Sequence, residues 1–117
     1  MSSTDNNLRV PPHSLEAEQA VLGGLLLDHQ AFDQVLEVLQ ARDFYSPDNR
    51  LIFTAMARLS ETGKPIDIIT ASELLEQDGE LERVGGIAHL AELARQTPGT
   101  SNLLTYAQIV RERAMLR

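Results

Sequence analysis

Cysteine is missing altogether from this sequence of 117 residues, which removes disulfides and thiolate metal sites and is compatible with a reducing cytoplasm. Basic residues are scarce: Lys+Arg number 10 against 17 for Asp+Glu. The resulting formal charge of -7 repels a phosphate backbone, so direct binding of nucleic acid is not expected. Long apolar runs are missing too. The longest, Ala20 to Leu27, falls well short of the roughly 20 residues that cross a bilayer, and no membrane association is expected. The opening "MSSTDNNLRVPPHS" has no apolar stretch flanked by basic residues and so does not read as a secretory signal. A soluble, cytoplasmic chain is the expectation.

Catalytic signatures are equally thin. There is no Gly-x-Ser-x-Gly elbow and no cysteine nucleophile. "SETGKPIDIITASE" places Gly63-Lys64 ahead of a helical pattern, as a phosphate-binding loop would. Such a loop needs a glycine five residues before Gly63 and a hydroxyl after the lysine, where this sequence has Arg58 and Pro65. It reads as a turn between helices. His13, His29 and His89 lie on different elements without a second ligand at helical spacing, so no metal is expected. Glu73, Glu76, Glu80 and Glu82 read as a solvated face, and Arg111, Arg113 and Arg117 as cations near a helix C-terminus.

What is there is one helix after another. Hydrophobic residues at 43% and charged ones at 23% suit a folded single domain. Residues 1–13 are polar, end in Pro11-Pro12 and read as a flexible arm, leaving 14–117 as a helical head. Ser14 offers an N-cap to a first helix reaching Leu27, with Glu16 and Glu18 in its first turn and Leu15, Leu22, Leu25 and Leu26 on one face. Asp28 can cap a second helix carrying Phe32, Val35, Leu36 and Leu39. Ser46, Pro47 and Gly63 bound a third, with Ile52, Ala55, Met56 and Leu59 as its buried stripe. Thr70 with Glu73 fits a capping box for a fourth, which stops at Gly79. A fifth holds Ile87, Leu90, Ala91 and Ala94 as far as about Gln96, and a sixth runs from Ser101 or Asn102 to Arg117. No segment alternates as a strand, and none repeats at a fixed period. The pattern predicts an all-α bundle of about six helices.

Two places carry more apolar surface than a single contact uses. In "AVLGGLLLD", two interior glycines cost roughly 1 kcal/mol each relative to alanine, and Ala17, Ala20 and Gly24 fall opposite the leucine stripe. The helix is thus apolar on both sides, which suits either close packing within the chain or a small-residue contact with another protomer, with a neighbouring backbone expected at Gly24. On the last helix Leu103, Tyr106, Ala107, Val110 and Ala114 share one stripe, while Ile109 and Leu116 lie on one flank and Leu104 and Met115 on the other. Those flanks either cover neighbouring helices or belong to a seam completed by further chain or another protomer. Ile109, Leu116, Ala17, Ala20 and Gly24 are therefore the candidate partner-binding residues.

The motifs "PPHSLEAEQAVLGGLLLD", "DFYSPDNRLIFTAMARLSETGKPIDIIT" and "LERVGGIAHLAELARQTPGTSNLLTYAQIVRERAMLR" together resemble the N-terminal domain of the DnaB family of bacterial replicative DNA helicases, over roughly Val10 to Arg117. The resemblance implies an all-helical head followed by a helical hairpin, here truncated within the helix that leads to it. It implies a non-catalytic role in hexamer assembly and primosome organisation during DNA replication, with other protomers and primase as partners. ATP and magnesium would then belong to a C-terminal motor domain outside these residues, and the resemblance assigns no catalytic residue to them. Asn49 departs from the family pattern, which often has histidine before the arginine; as an N-terminal-turn position it carries no expected function. A free-standing helical DNA-binding or adaptor module is the alternative, disfavoured by the acidic balance.

Overall fold

The computed structural model of the chain describes residues 10–117; the arm expected over residues 1–13 lies outside this range as far as residue 9. Six α-helices and two short 3-10 turns follow in order, with no strand among the described residues. The first helix, α1 (Leu15–Leu27), is capped by Ser14, whose hydroxyl accepts from the Ala17 amide at 3.2 Å. Asp28 makes no side-chain cap, and the chain takes a 3-10 turn, His29–Ala31, before a short α2 (Phe32–Leu36). Phe32, Val35 and Leu39 are buried there while Leu36 stays 44% exposed. A helix this short presents too little face to bury the whole predicted stripe.

After the turn Ala41–Asp43, α3 (Pro47–Glu61) has the expected bounds. Ser46 accepts from the Asn49 amide, Pro47 opens the helix, and Gly63 leaves it at a φ of 73°. Ile52, Ala55, Met56 and Leu59 are buried. The fourth helix, α4 (Ile68–Gln77), begins before the expected capping pair. Asp67 is the N-cap, accepting from the Thr70 amide at 2.8 Å while the Thr70 hydroxyl accepts from the Asp67 amide at 3.0 Å. A carboxylate is at least as good a cap acceptor as a hydroxyl, so Thr70 becomes the reciprocal partner and Glu73 is left exposed. Gly85, at a φ of 111°, opens α5 (Gly86–Gln96). Its buried side is Leu90, Leu93 and Ala94, whereas Ile87 and Ala91 face outward. The last helix is α6 (Leu103–Leu116), with Leu103, Ala107 and Val110 buried.

The centre of the bundle is α1, which packs on α5, α6 and α3. Its residues from Ala20 to Leu26 are all buried, as a helix apolar on every side requires. The glycines make this possible, and the closest approach falls one residue before the expected one. A Cβ on Gly23 would stand 2.1 Å from the Leu93 carbonyl oxygen of α5. On Gly24 it would meet the Leu103 side chain of α6, 2.7 Å from Cδ2. The space beside Gly24 is filled by Leu103 of the same chain.

Candidate interaction surfaces

Two regions gather the side chains that do more than fill the core. At the N-terminal end of α1, Glu18 is 1% exposed, a burial that its place in the first turn does not signal. Its carboxylate accepts from the Tyr45 amide at 2.7 Å, the Ser46 amide at 3.3 Å and Asn49 Nδ2 at 2.9 Å. Three donors at the start of α3 repay the loss of water around the charge, and the helix N-terminus adds a favourable field. Asn49 is consequently a buried partner of Glu18, more than a helix-turn filler. Beside it lies Asp43, also buried, whose carboxylate accepts from the Gln40 amide at 2.8 Å and pairs with Arg111 at 3.1 Å. Arg117 donates to the Asp43 carbonyl at 2.6 Å and to the Pro12 carbonyl at 3.0 Å. Two of the three clustered arginines therefore hold α6 against the turn at Asp43.

On the other side an open groove of about 430 Å³ runs between α1, α5 and α6. Ala17, Ala20, Leu93, Thr97, Tyr106 and Ile109 are among its walls. The structure thus brings three of the candidate residues, Ala17, Ala20 and Ile109, to one concavity. Small side chains on α1 give it its depth, and Thr97 holds one edge by donating its hydroxyl to the Ala20 carbonyl at 3.3 Å. Gly24 lies under Leu103, away from the groove's walls. Leu116 is also apart from it, on the last turn of α6, and is 70% exposed.

The Gly63-Lys64 turn is a helix stop. The Gly63 amide donates to the Ser60 carbonyl at 3.1 Å and the Lys64 amide to the Leu59 carbonyl at 2.9 Å. Both donors that a phosphate would need are engaged, and they sit at the negative end of α3. Among the described residues no group of His, Asp and Glu side chains could hold a metal, and no helix is long and apolar enough to cross a membrane.

The family model of the DnaB-like helicase N terminal domain matches residues 10–112. The replicative DNA helicase DnaB of Buchnera aphidicola subsp. Baizongia pistaciae (strain Bp) is 53% identical over 106 residues, covering 91% of this chain and 23% of that protein. The chain therefore spans about a quarter of the length of this curated relative. Among solved structures, the N-terminal domain of DnaB helicase from Mycobacterium tuberculosis superposes with a TM-score of 0.89 at 42% identity, over 92% of this chain and 78% of that one. A DnaB-like replicative helicase, studied with its interactions with primase, gives a TM-score of 0.74 at 26% identity, over 86% of this chain and 24% of that one.

Proposed function

The chain belongs to the DnaB-like helicase N-terminal domain family, and from that premise we propose that it is a non-catalytic assembly and partner-docking domain of a replicative DNA helicase. In this reading residues 14–117 form the head of a longer protein that acts in the cytoplasm during DNA replication. Its partners are primase and the other protomers of the helicase ring. ATP and magnesium belong to a C-terminal motor domain. The observation that carries the reading is the agreement of fold with a helicase N-terminal domain at a TM-score of 0.89 and 42% identity.

The chemistry of the head supports it. The amides of its one Gly-Lys turn are spent on a helix C-terminus, and Arg111 and Arg117 are tied to Asp43 rather than presented to a phosphate backbone. The groove along α1 and α6, with Ala17, Ala20 and Ile109 in its walls, and the exposed Leu116 are the proposed contact residues. The test is titration of the purified chain with cognate primase, and separately with MgATP and with a short DNA duplex at low salt. Saturable binding of primase alone is expected. A micromolar isotherm with MgATP, or tight binding of the duplex, would overturn the reading.

A further inference from the structure

The segment that enters α1 lies against Arg117, which follows the last turn of α6. His13 stacks on the Tyr45 ring with centroids 4.0 Å apart and planes 10° from parallel. Arg117 reaches the same ring, its Cζ 5.6 Å from the centroid, while donating to the Pro12 and Asp43 carbonyls. We propose that His13, Tyr45 and Arg117 form a clasp that couples the segment entering α1 to α6, so that loosening either one loosens the other.

Each part of the clasp is held independently. Tyr45 is a fixed platform, because its amide donates to buried Glu18 and its carbonyl accepts from Arg50 Nη1 at 3.3 Å. Pro11 and Pro12 restrict the backbone before His13, so little freedom remains to be lost when the ring stacks. His13 Nδ1 lies 2.7 Å from the Pro11 carbonyl and, with its proton there, donates to it, which orients the imidazole. On the other side Arg111 anchors α6 to the Asp43 carboxylate, bringing Arg117 within reach of both the Asp43 and Pro12 carbonyls. A guanidinium within about 6 Å of a ring centroid is attracted to its face, and an aromatic stack adds a comparable term. The Pro12 carbonyl then joins the two ends directly. The clasp rests on contacts within this chain and stands whether or not the domain docks primase.

Native-state hydrogen exchange on the 117-residue chain tests the coupling. His13→Ala should speed exchange of the last-turn amides of α6, including Arg117, by about two- to tenfold, the loss expected of one aromatic or cation-π contact. Arg117→Ala should reciprocally speed exchange at Ala17 and Glu18, whose amides donate to Ser14. The double variant should exceed the larger single effect only slightly, because both substitutions open one clasp. His13→Phe, which keeps a stacking ring, should retain most of the protection at Arg117. Changes confined to the mutated end, or fully additive effects in the double variant, would overturn the proposal. Should His13→Ala melt uncooperatively, Arg117→Ala decides alone: faster exchange at Ala17 and Glu18 supports the clasp, and wild-type exchange there overturns it.

Discussion

The two ends of α1 meet their neighbours by opposite means. At its start Glu18 brings a charge into the interior and satisfies it with three donors from the beginning of α3. Toward its end Gly23 brings nothing at all, and the Leu93 carbonyl occupies the place where a side chain would stand. The first contact depends on polar groups being matched and the second on atoms being left out. Both are close, but they should fail differently: a lost carboxylate can be partly replaced by water, whereas an added methyl group has nowhere to go.

Three substitutions press on that difference, from the severest downward. Gly23→Ala should be the worst, because the clash is with backbone; a net loss of about 3 kcal/mol is expected even after the gain in helix propensity. Chemical denaturation of the purified variant measures it, and near wild-type stability would mean that α5 can shift without penalty. Glu18→Ala comes next, at about 2 kcal/mol, since it strands the Asn49 amide and the Tyr45 and Ser46 N–H groups in a buried place. Adding Asn49→Ala on top should then cost less than it does alone, and a double-mutant cycle reads this directly. Gly24→Ala should be mildest, about 1 kcal/mol or less, because the obstacle is the Leu103 side chain, which has rotamers to use. If Gly24→Ala proved costlier than Gly23→Ala, the assignment of the close backbone approach would be reversed.

The same contrast explains what could be read from the sequence. The glycine pair was visible because glycine inside a strong helix demands a reason, although helical periodicity alone did not say which of the two faces a backbone. The bounds of α3 were legible because Ser46, Pro47 and Gly63 act locally. The start of α4 was misplaced because Asp67 and Thr70 are both capping residues, and Thr70 with Glu73 also has the spacing of a capping box. Phase was lost in α5, where Leu93, not Ala91, turns inward. Glu18 and Asp43 were not legible at all: a lone carboxylate in a helical pattern reads as solvated until its distant donors are placed. Of the candidate contact residues, Ala17, Ala20 and Ile109 share the groove, a juxtaposition of α1 with α6 that no local pattern encodes.

The position of α1 also has a consequence in time. Its buried side is completed by α5 and α6, and the hydrogen bond from Thr97 to the Ala20 carbonyl spans 77 residues of chain. Synthesis at about 5–20 residues per second leaves the first helix on the ribosome for roughly 4–15 s before Thr97 exists, and longer before α6 does. Throughout that interval its apolar run has neither the Leu93 nor the Leu103 side to shelter against. The domain's exposure to mispairing and to chaperones during its manufacture is therefore set by the order of its helices along the chain, and no increase in the stability of the finished fold would shorten it.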